Sequence, residues 1–501
     1  MLDPQRTTIV SGCPGAGKTT TLLGMVDDDL AAGTPPDRIG YLTFAKAAQQ
    51  EAIERAAEKF AVDKRSLPYF QTIHSLGFRQ CGMNAKQVLG RPHMDALSRY
   101  LNMALSGITA YEGAMESKRL GDRLMHHTNL ARVRCVPLRQ HYEESNEDFG
   151  WSELERFERG LSTFKVANDL YDFTDMLSLF LEEGAAPQLD VVFVDEAQDL
   201  SQLQWRAIAK VARHARKVVI AGDDDQAIFE WAGADVRTFI GQGGTVVPLT
   251  QSYRVPRSVQ RVAAGVVGRI RHRREKEWRA RQAEGAVIGQ MSIDHVDMSE
   301  GEWLVLARNK VFLKRVEGAL RHEGLVYEFL GSSSIPHIRA IELWENLRNG
   351  GILSRAEAIE VYESMRAGRG YKQGGKANLI RAPEHTTVNM DDLRGAGRLM
   401  VEGPWYEALD RIPLEERTYI RAARRRGESL QAKPRIRLST IHAAKGQEAE
   451  NVALMTDVSP ITYRRAQENP DAEARVFYVG ATRAKERLHI IKNRGPRAYA
   501  L

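Results

Sequence analysis

The sequence predicts an α/β protein built as two parallel-sheet units, each interrupted by a mostly helical insertion. Three observations predict it. Short apolar runs recur, as in TTIVSG, IGYLTF, VVFVDEAQD and KVVIAGDDDQ. Runs without polar alternation suit strands buried on both faces. Amphipathic helical stretches alternate with them, as crossover-connected parallel strands require. The alternation then restarts after residue 285 and returns after 436, with polar helical stretches in between. At 501 residues the chain is too long for one core, since about 150 residues per domain suggests roughly three.

The elements follow in order. A strand over Thr7 to Ser11 leads through a Gly-rich turn into a helix from about Lys18. A second strand, Ile39 to Phe44, precedes an Ala-rich amphipathic helix through Phe60, and a third lies around Phe70. Residues 80–165 read as helical and polar. The runs Val191 to Asp199 and Lys217 to Gln226 complete the first sheet. A basic helix follows at Arg269 to Arg281. Then come AVIGQMSI, EWLVLARN, a helix and LVYEFLG, ending at Gly331. Residues 332–436 are helical with a Gly- and Lys/Arg-rich middle, and RIRLSTIHAAKG, ENVALM and RLHIIKN return to strand. The expected division is 1–79 with 166–256, an insertion 80–165, a second domain 257–331 with 437–501, and a short insertion 332–436.

Composition excludes several classes. With 43% hydrophobic and 27% charged residues the chain is neither disordered nor fibrous. No window reaches the eighteen apolar residues of a membrane span, and MLDPQRTTIVSG lacks the regions of a secretory signal. Three cysteines, Cys13, Cys81 and Cys135, are too few for a disulfide framework or zinc cluster and point to a reducing, cytoplasmic setting. The net charge of +6 is mild but clustered. Arg269 to Arg281 holds seven Lys/Arg against two Glu, and Arg411 to Arg437 nine against three. Such runs are solvated helix faces or phosphate contacts, and charge alone leaves both open.

GCPGAGKTT, Gly12 to Thr20, fits G-x-x-x-x-G-K-[ST] between a strand and a helix. In Gly12, Cys13, Pro14, Gly15, Ala16, Gly17, Lys18, Thr19 and Thr20, the glycines let backbone N–H groups turn toward phosphate oxygens, and the helix N-terminus adds partial positive charge. Lys18 would reach the outer phosphates and Thr19 would ligate Mg²⁺. VVFVDEAQD carries Asp195 and Glu196 to a strand's C-terminal end, where open α/β sheets bind ligands. Alone, that pair reads equally well as a helix cap. Paired with the phosphate loop, Asp195 becomes a Mg²⁺ ligand and Glu196 the base that activates water. Together they mean nucleoside triphosphate hydrolysis, not yet what it drives.

Further motifs run in one order along the chain. They are LTFAKAAQQEAIER (Leu42 to Arg55), QTIHSLGFR (Gln71 to Arg79), DFTDML (Asp172 to Leu177), GDDDQAIFEWAGAD (Gly222 to Asp235), QSYR (Gln251 to Arg254), TIHAAKGQEAENV (Thr440 to Val452) and FYVGATRAKERL (Phe477 to Leu488). The chain thereby resembles superfamily 1 DNA helicases of the UvrD/Rep/PcrA type, as a compact, phage- or plasmid-like member. The resemblance implies two RecA-like domains with ATP between them, and roles in DNA repair or replication. It also implies that Gln226 senses the γ-phosphate, that Arg254 and Arg483 act as arginine fingers, that Tyr253 stacks on adenine, and that Gly446 and Glu448 meet the ribose. Phe44, Phe229 and Trp231 would stack bases, with Thr72, His74 and His442 contacting the strand. Taken alone, Phe44 and Phe229 would be read as core.

The pattern departs from the family in three respects. Both insertions look short, the chain ends soon after Leu488, and only eleven residues precede Gly12. The adenine-reading glutamine helix is therefore not expected, and GTP and dATP should serve within about tenfold of ATP. The resulting expectation is an ATP- and Mg²⁺-dependent translocase on single-stranded DNA and single/double-strand junctions, a helicase moving 3′ to 5′. The alternatives are a DNA-stimulated ATPase that displaces proteins with little unwinding, and an ATP switch without translocation.

Overall fold

Six strands build the first sheet: β1 (Thr7–Gly12), β2 (Ile39–Thr43), β3 (Phe70–Thr72), β4 (Val191–Val194), β5 (Lys217–Gly222) and β6 (Thr245–Leu249). Their order is β3-β2-β4-β5-β1-β6, and every pairing is parallel, with Val10 opposite Ala221 and Leu42 opposite Val194. The computed structural model describes residues 1–44, 46–60, 63–106, 119–145, 147–492 and 497–501.

Burial on both faces explains the unbroken apolar runs. Val191 and Phe193 of β4 join Leu22, Val26, Tyr41 and Phe70 on one side. Val192 and Val194 join Leu177, Phe180, Trp205 and Ile208 on the other, as the period of two requires. The strand ends at Val194 because Glu196 adopts φ 53° and Ala197–Asp199 turns as a 3₁₀ helix. The first insertion packs helices Arg91–Leu101, Leu120–Val133 and Trp151–Ala167 around Leu97, Leu124, Phe157 and Leu161. Lys165 anchors it, its ammonium lying 2.6 Å from Asp172 and 2.7 Å from Asp175 at the start of helix Phe173–Glu182.

The second sheet uses β7 (Ala286–Gln290), β8 (Trp303–Ala307), β9 (Tyr327–Phe329), β10 (Ser332–Ser333), β13 (Ile436–Thr440), β14 (Ala449–Met455) and β15 (Ala484–Ile491). Its order is β10-β9-β13-β8-β14-β15-β7, parallel except for the β9–β10 hairpin. The intervening segment carries helices and a two-stranded ribbon, β11 (Leu353–Ser354) with β12 (Thr387–Val388).

By contacts the chain forms two units, 1–285 with 464–482 and 286–463 with 483–501. Helix Arg257–Val267 falls in the first of these units, where it packs against helix Pro470–Ala481. The edge strand β6, TVVPL, lies outside the strands expected from the sequence: Pro248 lacks an N–H and the strand is half exposed, both permitted at an edge. One expectation is corrected. Arg269 to Arg281 is irregular chain rather than a helix. Among the described residues, no helix is long and apolar enough to cross a membrane.

Candidate active site

The phosphate loop leaves β1 at Gly12 and enters helix Lys18–Ala31. Gly15 and Gly17 take φ 71° and 78°, a region costly for residues with a Cβ. At Gly15 space forbids one as well, since a Cβ would lie 2.5 Å from that of Arg254. The QSYR segment closes over the loop. Tyr253 N–H donates to the Gly15 carbonyl at 2.9 Å, and the Ser252 hydroxyl donates to the Pro14 carbonyl at 2.7 Å. Tyr253 is 75% exposed, a ring with an open face, and Arg254 is half-buried beside it. Lys18 is buried in the loop.

Asp195, at the end of β4, accepts from the Thr19 hydroxyl at 2.7 Å and from the Tyr41 hydroxyl at 2.9 Å, both on Oδ2. Burial first, then the charge of Glu196, raises its carboxyl above the ordinary range, while Thr19, Tyr41 and Lys18 oppose them. A buried carboxylate whose charge is disfavoured, with a hydroxyl beside it, is a donor set that fits Mg²⁺. The left-handed turns at Gly15 and Gly17, ahead of a helix N-terminus, fit a loop that wraps a triphosphate. Nothing in the sequence singles out Tyr41, because a Tyr in a buried strand reads as core.

Glu196 accepts a hydrogen bond from the Gln198 amide. The Gln198 carbonyl oxygen accepts from Asp223 N–H at 3.1 Å, and Gln226 donates to Asp223 Oδ2 at 2.6 Å. The two motif segments are thus joined through side chains. Asp223, Asp224 and Asp225 are all buried. Burial pushes the Asp223 carboxyl up, but Lys276 and then Lys18 hold it below the ordinary range.

The same segment continues into an aromatic row. Phe44 stacks on Phe229 with centroids 5.7 Å apart, and Phe229 meets Trp231 at 6.3 Å. All three are half-buried, so Phe44 and Phe229 are neither wholly core nor wholly free. His74 sets its ring edge-on to Phe173 at 5.7 Å, and burial pushes it down to about 4, leaving a neutral imidazole at neutral pH. Thr72 is buried, its hydroxyl capping helix Ile73–Gln80 by accepting from Ser75 N–H at 3.1 Å.

The remaining expected residues lie in the second unit. His442 is half-buried after β13, and Gly446 turns at φ 88°. Glu448 pairs with Lys485 at 2.9 Å, and Arg483 is buried at the start of β15.

The basic runs have protein partners. Lys276 and Arg273 pair with Asp223 to Asp225, and Arg274 donates to the Ile240 and Gln242 carbonyls at 2.7 and 3.0 Å. In the second run Arg424 grips Glu345, Arg435 pairs with Glu428 and Arg437 with Glu302. Neither run is simply a solvated face.

Two family models match the chain: the UvrD/REP helicase N-terminal domain over residues 1–243 and the UvrD-like helicase C-terminal domain over 414–495. ATP-dependent DNA helicase PcrA of Bacillus subtilis is 24% identical over 34% of this chain and 27% of its own length. DNA helicase II of Salmonella typhimurium is 25% identical over 53% of this chain and 38% of its own. PcrA of Leuconostoc citreum is 20% identical over 63% and 47%. The chain spans about a quarter to a half of the length of these relatives.

Proposed function

Because the chain belongs to the UvrD/REP helicase family, we propose that it hydrolyses ATP with Mg²⁺ in response to single-stranded DNA and translocates along it. On this reading it moves 3′ to 5′ and opens single/double-strand junctions. The observation that carries the reading is the span from Asp223 to Trp231. Its first residues bond to Gln226 and, through Gln198, to Glu196, while Phe229 and Trp231 stand in the aromatic row with Phe44. One short stretch thus joins the candidate hydrolytic residues to candidate base platforms. A switch that only bound ATP would need no such link.

Within the reading, Gly12 to Thr20 hold the phosphates, with Lys18 against the outer ones. Thr19 and Asp195 hold the metal, which supplies charge neutralisation at the transferring phosphoryl group. Glu196 takes the proton of the attacking water, Gln226 and Arg254 stabilise the transferring group, and Tyr253 carries the base. The roles of Gly446, Glu448, His442 and Arg483 rest on the resemblance alone. Bases stack on aromatic faces without regard to sequence.

ATP turnover with and without single-stranded DNA tests the reading. A motor's rate should rise severalfold with strand length. Trp231→Ala should weaken strand affinity by about 1–3 kcal/mol and lower the stimulated rate while sparing the basal one. No stimulation of the unmodified protein would leave only a switch. Equal loss of both rates in the variant would make Trp231 a core residue.

A further inference from the structure

Residues 244–413 fall outside both family-model matches, yet the segment Arg271 to Trp278 reaches into the nucleotide side of the first unit. The Lys276 ammonium lies 2.6 Å from Asp223 Oδ1 and 3.1 Å from Asp225 Oδ2, with Asp224 Oδ1 in contact as well. Arg273 grips Asp225 through two N–H···O bonds of 2.8 Å each. Arg274 donates its backbone N–H to Asp224 Oδ2 at 2.7 Å.

Three consecutive buried carboxylates face two cations that pair with them among the described residues, Lys276 and Arg273, and of these Lys276 touches all three. Other groups facing the turn are Lys18 and Cys13 from the phosphate loop, the Arg274 guanidinium, which interacts with Asp224, and Tyr478 and Arg475 from helix Pro470–Ala481. Arg475 donates to the Asp224 carbonyl oxygen at 2.9 Å, not to its carboxylate. Asp223 meanwhile divides its bonds: Oδ1 meets Lys276, Oδ2 meets Gln226, and its N–H meets Gln198, which bonds to Glu196.

We infer that Lys276 is a positioning residue for ATP hydrolysis, holding the Asp223–Asp225 turn closed so that Gln226 and, through Gln198, Glu196 stay in register. The inference rests on the function proposed above. Without the ammonium, like charges buried within one turn repel one another in a medium that screens them poorly. The turn must then open or take up a proton. Lys276 touches none of the reacting atoms in this role, so its loss should slow turnover without abolishing nucleotide binding.

The test uses the full chain with Lys276→Met and the double variant Lys276→Met/Asp224→Asn. DNA-stimulated kcat and KM are measured from pH 6 to 8.5 relative to the unmodified protein, beside thermal unfolding. At pH 8, Lys276→Met should lose at least about tenfold in kcat with KM changed less than about threefold. The loss should shrink toward pH 6, where a proton takes the place of the ammonium. Asp224→Asn removes one carboxylate charge, so the double variant should recover most of kcat at pH 8 with a flat profile. Unchanged kcat in Lys276→Met overturns the inference. So does a loss that is equal at pH 6 and 8 and not recovered by Asp224→Asn. If Lys276→Met alone fails to fold, the double variant decides: a folded protein with intact KM and a tenfold lower kcat also overturns it. Failure of the proposed function reads out separately, as an unmodified protein without DNA-stimulated turnover.

Discussion

Glu196 shows how much a single residue can be asked to carry. It is a side-chain-bearing residue at φ 53°, a conformation that costs about 1–2 kcal/mol. Its N–H donates to Asp195 Oδ1 at 2.9 Å, and its carboxylate accepts from Gln198. The strained turn sends the two adjacent acids to separate tasks, one beside Thr19 and Tyr41, the other beside Gln198. If Glu196 is the general base, Glu196→Gln should leave ATP and DNA binding nearly intact and cut hydrolysis by about 10²–10⁴. Nucleotide titration and single-turnover hydrolysis check this, and near-normal turnover would remove Glu196 from the chemistry.

Elements differ in how plainly the sequence announces them. β1, β2, β4 and β5 are legible because both faces are buried and the apolar runs are unbroken. β6 is not, because Thr245, Val246 and Pro248 face solvent and no pattern of burial marks them. The Arg269–Arg281 run misleads for a different reason. Charge is visible in a sequence, but the buried acids that neutralise it lie some fifty residues away in the chain. The phosphate loop and the Asp195–Glu196 pair are legible because both are local in sequence. The Tyr41–Asp195 bond is not, because its partners are 154 positions apart. The first insertion carries a feature that the sequence leaves silent: His127 Nδ1 and His141 Nε2 lie 3.0 Å apart, with His126 edge-on to His127. Burial first, then neighbouring positive charge, pushes both His126 and His141 down to about 4. Unfolded, each would titrate near 6.5, so the unfolded chain binds more protons between about pH 4 and 6.5. Stability is therefore present above pH 6.5 and lost as pH falls through that window, by up to about 3 kcal/mol per histidine. Glu147, held near 2 chiefly by its hydrogen bond from His127, keeps its contribution until below about 4.5. Thermal unfolding between pH 4 and 7 should show the decline, and His141→Gln should flatten it. A variant with the same slope as the unmodified protein would assign the decline elsewhere.

For the whole molecule, the first unit is discontinuous, with 464–482 returning to it from far along the chain. Helix Pro470–Ala481 buries Val476, Phe477, Tyr478 and Val479. Arg475 pairs with Glu230 at 2.8 Å, and Asp471 accepts from the backbone N–H groups of Arg271 and His272 at 3.1 and 3.0 Å. At about 1.5–3 kcal/mol for each large apolar side chain buried, this helix is a sizeable share of the unit's stability. Residues 1–285 alone should therefore melt roughly 10–20 °C below the same residues joined to 464–482 by a flexible linker. Equal melting temperatures would show that the returning helix adds little. The discontinuity also sets a clock during synthesis. Residues 286–463 must leave the ribosome before the closing helix exists, which takes about 10–35 s at ordinary elongation rates. Throughout that interval the nascent first unit presents the apolar seat of the absent helix, a face that a chaperone can hold or another nascent chain can capture. The production of soluble protein should thus respond to elongation speed within 286–463, a stretch that contributes no residue to the unit left waiting.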